Sequence, residues 1–168
     1  MPKVKKKRKL TKVMGIDPGK SGGIVVLDVR GGVVLMEEMP TTYRDIFKLL
    51  DQDVEFCYIE WIHPAIQGAA KSAMSKLYGN YCALQMALTG NAIRHNTVMP
   101  KKWQQHFEIP KRGGLTKTKW KDVLKGKAEQ IFPELDVWDQ TLTKQRTVCD
   151  ALLIAEYTRR EICLSSPK

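Results

Sequence analysis

Three acidic residues in this chain, Asp17, Glu60 and Asp150, are far apart in the sequence, and each is bordered by apolar residues. Asp17 lies in the stretch Gly-Ile-Asp-Pro-Gly, where a glycine-rich turn joins two β-rich runs. Glu60 ends a short apolar run, and Asp150 precedes a longer one. Burying unpaired carboxylates near a core is costly, and a bound divalent cation neutralises several at once. The three acids are therefore candidate metal ligands.

The chemistry of these ligands points to phosphodiester hydrolysis. Oxygen-only ligands select Mg²⁺ or Mn²⁺ over zinc. Two such ions about 4 Å apart activate a water on one side of a phosphodiester and stabilise the leaving oxygen on the other. A structural explanation stays open for each acid alone. Asp17 would be a turn residue bonded to its own backbone, Glu60 a strand-end acid, and Asp150 a first-turn helix acid favoured by the macrodipole.

The elements that must position these acids follow from hydrophobic periodicity and turn residues. Glycine turns separate three strands spaced as an antiparallel meander, and alternating helices and strands follow. This order predicts one mixed sheet covered by helices, an α/β fold. The predicted strands are residues 13–16, 23–28, 32–38, 56–60 and 92–99. The predicted helices are 43–50, 69–88 with Gly90 as its stop, a short piece from 101, 120–132 and 147–163, with an exposed loop at 108–119.

Composition bounds the class of protein. With 168 residues and 43% hydrophobic content, we expect a soluble single domain, and no apolar run approaches the roughly 18 residues of a membrane span. The formal net charge of +10 favours nucleic acid as the partner, with an anionic membrane surface as the weaker alternative. The four cysteines form no Cys-x-x-Cys pair, which argues against zinc and disulfides and favours a reducing compartment.

Basic residues are concentrated in two places. Residues 1–12 form a lysine-rich block that we interpret as a flexible arm, which would hold DNA phosphates, serve as a nuclear address or be a solubilising or artificial tail. The second region is interleaved with Trp103 and Trp120, and a solvated charged face is its alternative explanation. Together with Lys76 of the predicted helix 69–88, the candidate phosphate contacts are Lys76, Lys101, Lys102, Lys111, Arg112, Lys117, Lys119 and Lys121.

Several motifs together resemble the RuvC-type Holliday-junction resolvases, over nearly the whole chain. In order, they are residues 15–19, 58–60, 63–64, 67–68, 74–83, 100–107 and 150–155. The stretch 100–107 looks like the version found in phage and organellar members. The resemblance implies a ribonuclease H-like α/β fold with a mixed five-stranded sheet flanked by helices, formed by residues 13–168. It also implies a homodimer, four-way DNA junctions as partner, paired nicks and an intracellular location at DNA, whether in a nucleus, an organelle nucleoid or phage-infected cytoplasm.

The resemblance also assigns roles to individual residues. It makes Asp17, Glu60 and Asp150 ligands of two Mg²⁺ ions per subunit, for which Mn²⁺ would substitute. It implies that one lysine between Lys117 and Lys121 approaches the scissile phosphate. Lys119 is the candidate, although spacing alone does not choose among them.

The chain departs from the family's pattern at two places. The family has an acid or histidine three or four residues before the last aspartate, where this chain has Thr147 and Arg146. Asp139 would then reach in from the preceding loop, Thr147 would hold a metal-bound water, or activity would be weakened. Where the family often has aromatic residues that wedge into the junction, this chain has Ser75 and Leu77, for which Met74 or Tyr78 would substitute.

Two other functions remain open at this point. The missing fourth ligand motivates a non-catalytic junction-binding protein of the same fold. A ribonuclease H-like nuclease that acts on RNA or hybrid duplexes is the lesser alternative.

Overall fold

The structure is a computed structural model that describes residues 12–63 and 71–164. Within these ranges the chain forms five strands and five α-helices. The strands are β1 (Lys12–Asp17), β2 (Gly23–Asp28), β3 (Val33–Glu38), β4 (Phe56–Glu60) and β5 (Arg94–Val98). The helices are α1 (Tyr43–Leu49), α2 (Lys71–Gly90), α3 (Pro100–His106), α4 (Lys117–Ile131) and α5 (Leu142–Arg159), with a 3₁₀ turn at Asp136–Asp139 and a π-helical turn at Arg160–Leu164.

The five strands form one mixed sheet in the order β3-β2-β1-β4-β5. The pairs β1–β2 and β2–β3 are antiparallel, whereas β1–β4 and β4–β5 are parallel. The predicted meander and the mixed five-stranded sheet are confirmed. Because β1 and β4 are parallel neighbours, their carboxyl ends lie at the same edge of the sheet.

Two hydrophobic cores lie on opposite faces of the sheet, because side chains of a strand alternate between faces. Val25 and Leu27 of β2 belong to the core under α3, α4 and α5, whereas Ile24 and Val26 belong to the core under α1 and α2. The central helix α5 is buried at every position from Val148 to Thr158. Gly15 of β1 permits this close packing, since a Cβ there would collide with the backbone of Ala155.

The starts of two helices differ from the sequence-based prediction. The predicted loop 108–119 is wrong at its end, because α4 begins at Lys117 after the N-cap Thr116, whose hydroxyl accepts a hydrogen bond from the Lys119 amide. Likewise α5 begins at Leu142 rather than at residue 147, after the N-cap Thr141. Threonine N-caps were the missed sequence signal. Asp150 consequently lies in the third turn of α5, so the macrodipole explanation for this acid is wrong, since that effect is confined to the first turn.

The end of α2 and the start of β1 also differ from the prediction. The helix α2 includes Gly90 as its last residue, whereas the prediction ended the helix at residue 88. Residues 69–70 of the predicted helix lie outside the described residues. Residues 1–11 of the predicted arm also lie outside them, and Lys12 is the first residue of β1. No described helix is long and apolar enough to cross a membrane.

Candidate active site

The three predicted acids converge at one edge of the sheet. Asp17 and Glu60 are the last residues of the parallel neighbours β1 and β4, whose register aligns Ile16 with Ile59. Asp150 comes from α5, which packs directly on β1 where Gly15 leaves room for it. The carboxylates interact electrostatically, because the charge of Asp150 raises the pKa of both other acids. The structure therefore brings together the three residues that the sequence singled out.

Each carboxylate accepts at least one hydrogen bond from a neighbouring group. The Gly19 amide donates to Asp17 Oδ1 at 3.1 Å, so the turn explanation for Asp17 describes one of its oxygens. The Trp103 indole Nε1 donates to Glu60 Oε1 at 3.0 Å. Lys121 Nζ donates to Asp150 Oδ2 at 2.7 Å and lies 3.8 Å from Asp17 Oδ2. The Cys149 thiol also donates to Asp150 Oδ1 at 3.1 Å, so hydrogen bonds hold one oxygen of Asp17, one of Glu60 and both oxygens of Asp150 in place.

Burial and the repulsion between the carboxylates raise the pKa values of Asp17 and Glu60. Burial first, and then the charge of Asp150, raise the pKa of Asp17 from 3.8 to about 6. Burial, followed by the charges of Asp17 and Asp150, raises the pKa of Glu60 well above its ordinary value. Burial lowers the pKa of Lys121, but Asp150 and Asp17 raise it by more, so this ammonium stays charged. Lys121, with a smaller effect of Lys117 on Asp17, opposes three acids, so the cluster favours the binding of further cations.

The donor chemistry of this cluster fits Mg²⁺ or Mn²⁺, because all three side chains offer carboxylate oxygens. As the side chains stand, however, no group of three His, Cys, Asp or Glu residues among residues 12–63 and 71–164 is arranged to hold a metal ion. The Lys121 ammonium forms ion pairs with Asp150 Oδ2 at 2.7 Å and with Asp17 Oδ2 at 3.8 Å. A metal ion shared by these acids would therefore require the Lys121 ammonium to move away from Asp150 Oδ2.

Lys121, rather than Lys119, reaches the acids. A helix turns by about 100° per residue, so Lys117 and Lys121 share a face of α4 while Lys119 is about 200° away from each. Lys119 is exposed, and Lys117 acts on the cluster through its charge, which lowers the pKa of Asp17. The catalytic role assigned to Lys119 is thus not supported by its position, which is the face of α4 opposite to the acids.

The structure separates the two candidates for the fourth ligand position. Thr147 lies one turn before Asp150 on α5 and is 9% exposed, and its Oγ1 donates to the Thr143 carbonyl at 2.8 Å. Asp139 is exposed in the 3₁₀ turn before α5. Asp150 lies eight residues after Leu142, ~12 Å along the axis of α5, whereas the Asp139 turn is bonded through the Trp138 and Gln140 carbonyls to Gln145, before Thr147 on the helix. Thr147 is therefore the one of the two that lies beside the acids.

Of the other candidate DNA contacts, Lys101 lines a cleft together with Asp17 and Glu60. Lys76, Lys101, Lys102, Lys111 and Arg112 are all exposed. The interleaved Trp103 and Trp120 are buried core residues rather than stacking surfaces, and the role of Trp103 as a donor to Glu60 had no signal in the sequence. The exposed aromatic of α2 nearest the expected wedge positions is Tyr78, with Ser75 also exposed and Met74 and Leu77 partly buried.

A cleft of about 460 Å³ opens beside the acids. Asp17 and Glu60 form its acidic wall, and Lys101 lies at its rim. The rest of the lining is mainly apolar and includes Trp61, Ile62, His63, Leu77, Met99 and Pro100. Asp17 and Glu60 are thus reachable from solvent through this cleft.

Comparison with known proteins supports the fold but gives no relative by sequence. No family model matches the chain, and no curated protein does. A structure of Thermus thermophilus RuvC in complex with a Holliday junction substrate matches with a TM-score of 0.54 and 16% identity, covering 86% of this chain and 90% of that one. A second Thermus thermophilus RuvC structure matches with a TM-score of 0.50 and 18% identity over the same shares. The ribonuclease H-like fold predicted from the motifs is confirmed as RuvC-like, and the resemblance to phage and organellar members stays a prediction.

Proposed function

We propose that this chain, which has the fold of the RuvC resolvases, is a structure-selective DNA endonuclease that resolves four-way junctions by paired metal-dependent nicks. The observation that carries the proposal is the convergence of Asp17, Glu60 and Asp150 at one sheet edge in a fold whose structural neighbour is bound to a Holliday junction. The net charge of +10 agrees with a DNA partner.

Each residue of the site has a distinct part in this proposal. Two Mg²⁺ or Mn²⁺ ions would be held by Asp17, Glu60 and Asp150, and would supply water activation and stabilisation of the leaving oxygen. The Gly19 amide and the Trp103 indole orient Asp17 and Glu60. Lys121 brings a positive charge to the place where the phosphodiester must lie, and would exchange its contact with Asp150 for one with a phosphate oxygen.

The proposed substrate requires two active sites, and therefore a homodimer. The exposed side of α2 over residues 77–90 carries no charged residue and presents Tyr78, Gly79, Cys82 and Met86, the last 72% exposed. The exposed rings of Tyr43 and Phe47 lie against its two ends, near Gly79 and Gly90. Two copies of a chain with charge +10 repel each other, so an uncharged face is where a dimer contact costs least.

Dimerisation is tested by light scattering of the purified chain at micromolar concentration. We expect a dimer that Met86→Lys converts to monomer. Val34→Lys introduces the same charge at an exposed apolar position of β3 and should leave the dimer intact. A wild-type monomer, or equal effects of the two variants, would contradict the α2 interface.

The function is tested by cleavage of a panel of labelled substrates: four-way junctions, linear duplex DNA and RNA–DNA hybrids, each with Mg²⁺ or Mn²⁺. We expect paired symmetrical nicks in junctions and none in linear duplex. Asp17→Asn and Asp150→Asn should abolish cleavage and retain junction binding, while Glu134→Gln, an exposed acid remote from the site, should cleave as the wild type does. Equal cutting of hybrid and junction would favour the ribonuclease alternative.

A second candidate function is junction binding without cleavage. The specific observations that favour it are the contact between Lys121 and Asp150 and the threonine at the fourth ligand position. Tight junction binding with no cleavage in either metal would establish this alternative. Action on DNA inside the cell is common to both candidates.

A further inference from the structure

A small polar cleft lies beside Lys121, and it shares no lining residue with the apolar cleft described above. Its volume is about 200 Å³, and three segments form it: the β1–β2 turn, the first two turns of α4 and the first two turns of α5. Three cationic and four hydroxyl side chains line it. They are Lys117, Lys121, Arg146, Ser21, Thr118, Thr143 and Thr147.

We propose that this cleft binds the DNA backbone phosphate next to the scissile one, and that Lys117 and Arg146 are its charged contacts. The proposal rests on the proposed function for the identity of the ligand, and it goes beyond that function by assigning a second phosphate site. Cations with hydroxyl donors are the side chains that bind phosphate oxygens. The cleft contains no carboxylate among its lining residues.

The position of the cleft relative to the acids supports this choice of phosphate. Lys121 lines the cleft, and the same ammonium contacts Asp150 and lies 3.8 Å from Asp17. The cleft and the acids are therefore separated by a single side chain. Successive phosphates of one strand follow each other at a rise of about 3.4 Å along the duplex axis, so a phosphate held at the acids would place its neighbour within reach of the cleft.

The charges available in the cleft are unequal. Lys121 is paired with Asp150, and Arg146 donates through Nε to Asp122 Oδ1 at 2.7 Å. That contact uses one of the five N–H donors of the guanidinium and holds the group in place, so its Nη groups can bind a ligand. Lys117 is exposed on the same face of α4 as Lys121. The start of α4 adds the positive end of a fifteen-residue helix.

The proposed phosphate site explains why the chain lacks an acid or histidine at the fourth ligand position. At the two positions where an acid or histidine would be expected, the chain has Arg146 and Thr147, and both line the cleft. An acid there would repel a phosphate, whereas an arginine and a hydroxyl attract one. At these two positions, the chain therefore has side chains that can bind a DNA phosphate in place of one that would bind a metal ion.

The test is a cycle of protein and DNA changes, measured as the dissociation constant for a synthetic four-way junction in EDTA, so that no cleavage occurs. The protein variants are Lys117→Gln, Arg146→Gln and, as a control, Lys48→Gln on α1, on the opposite face of the sheet. In the DNA, an uncharged methylphosphonate replaces one phosphate at a time, over three nucleotides on each side of the exchange point. Thermal unfolding checks that each variant is folded.

We expect Lys117→Gln and Arg146→Gln each to weaken binding roughly tenfold and to lower the slope of log K against log salt by about 1, as for the loss of a phosphate contact. With a methylphosphonate at one particular phosphate, these variants should bind as well as the wild type. Lys48→Gln should change binding by less than about twofold on every junction. If Arg146→Gln does not fold because Asp122 loses its partner, Lys117→Gln alone carries the test.

The site would be overturned if Lys117→Gln weakened junction binding by the same factor with every methylphosphonate, because no single phosphate would then be coupled to Lys117. Where the wild type cleaves in Mg²⁺, the coupled phosphate must be adjacent to the cleaved one, and coupling at a more distant phosphate would overturn the placement. A protein that never cleaves but shows the coupling retains the phosphate site and loses the nuclease function, so the two failures are distinguishable. The absence of any junction binding would overturn both.

Discussion

Replacing Asp17 with Asn should stabilise the protein in the absence of metal, although it destroys a residue of the proposed active site. Burial and the charge of Asp150 raise the pKa of Asp17 from 3.8 to about 6. At about 1.4 kcal/mol per pH unit, ionised Asp17 lowers the free energy of unfolding by about 3 kcal/mol above pH 6. Asparagine keeps Oδ1 as an acceptor for the Gly19 amide and removes this charge.

The sign of the pH dependence follows from the direction of the shift. Because the folded-state pKa is the higher one, the folded protein binds more protons than the unfolded chain between about pH 4 and pH 6. The contribution of Asp17 to stability therefore improves as the pH falls through this window. The gain from Asp17→Asn should be largest at pH 7.5 and should vanish near pH 4.

The assay is thermal unfolding followed by circular dichroism, in EDTA, at pH 7.5, 6 and 4. For a chain of this length, about 3 kcal/mol corresponds to a rise in Tm of roughly 6 to 12 °C. Glu134→Gln removes an exposed acid and should leave Tm unchanged at each pH. With Mg²⁺ in excess the wild type should have the higher Tm of the two, since only the wild type gains stability by binding the ion.

Two results would refute this reasoning. One is an Asp17→Asn protein that is no more stable than the wild type at pH 7.5 in EDTA, which would mean that the carboxylate is well solvated or fully compensated by Lys121. The other is an equal gain at pH 4 and pH 7.5, which would mean that the effect does not come from the charge.

Four further predictions follow from the same geometry. Lys121→Met should lower the cleavage rate at saturating junction by at least tenfold, whereas Lys119→Met should weaken binding without changing that rate; equal rate losses would contradict the helical phase of α4. Thr147→Asp should weaken junction binding, because an acid there repels a phosphate, but at saturating junction it should raise the rate in Mg²⁺ more than in Mn²⁺, because Mg²⁺ demands a near-ideal octahedral ligand set; a fall of the saturated rate in both metals would show that no ligand is lacking. Trp103→Phe removes the indole donor to Glu60, which lowers the pKa of that acid. The rising limb of the pH–rate profile should therefore move to higher pH, and an unmoved limb would reject Glu60 as a metal ligand. Deletion of residues 1–11 should reduce the salt dependence of junction binding and leave the cut position unchanged, as mapped on sequencing gels.

The sequence by itself determined the sheet and the positions of two acids within it. Alternating apolar residues and glycine turns define strands locally, so β1 to β4 lie within one residue of their predicted bounds. Asp17 and Glu60 end two of these strands, and a strand end is a local property. The RuvC-like fold and the convergence of the acids then followed from motifs that are short in sequence.

The tertiary structure alone decided which basic and aromatic side chains serve those acids. Lys121 rather than Lys119 reaches Asp150 because the buried residues Trp120, Leu124 and Ala128 set the rotation of α4 and because α4 packs on α5. Trp103 donates to Glu60 across 43 positions of sequence. Such contacts depend on how closely α5 docks on β1 at Gly15 and on which distant segments then meet, and no local pattern of residues encodes either quantity.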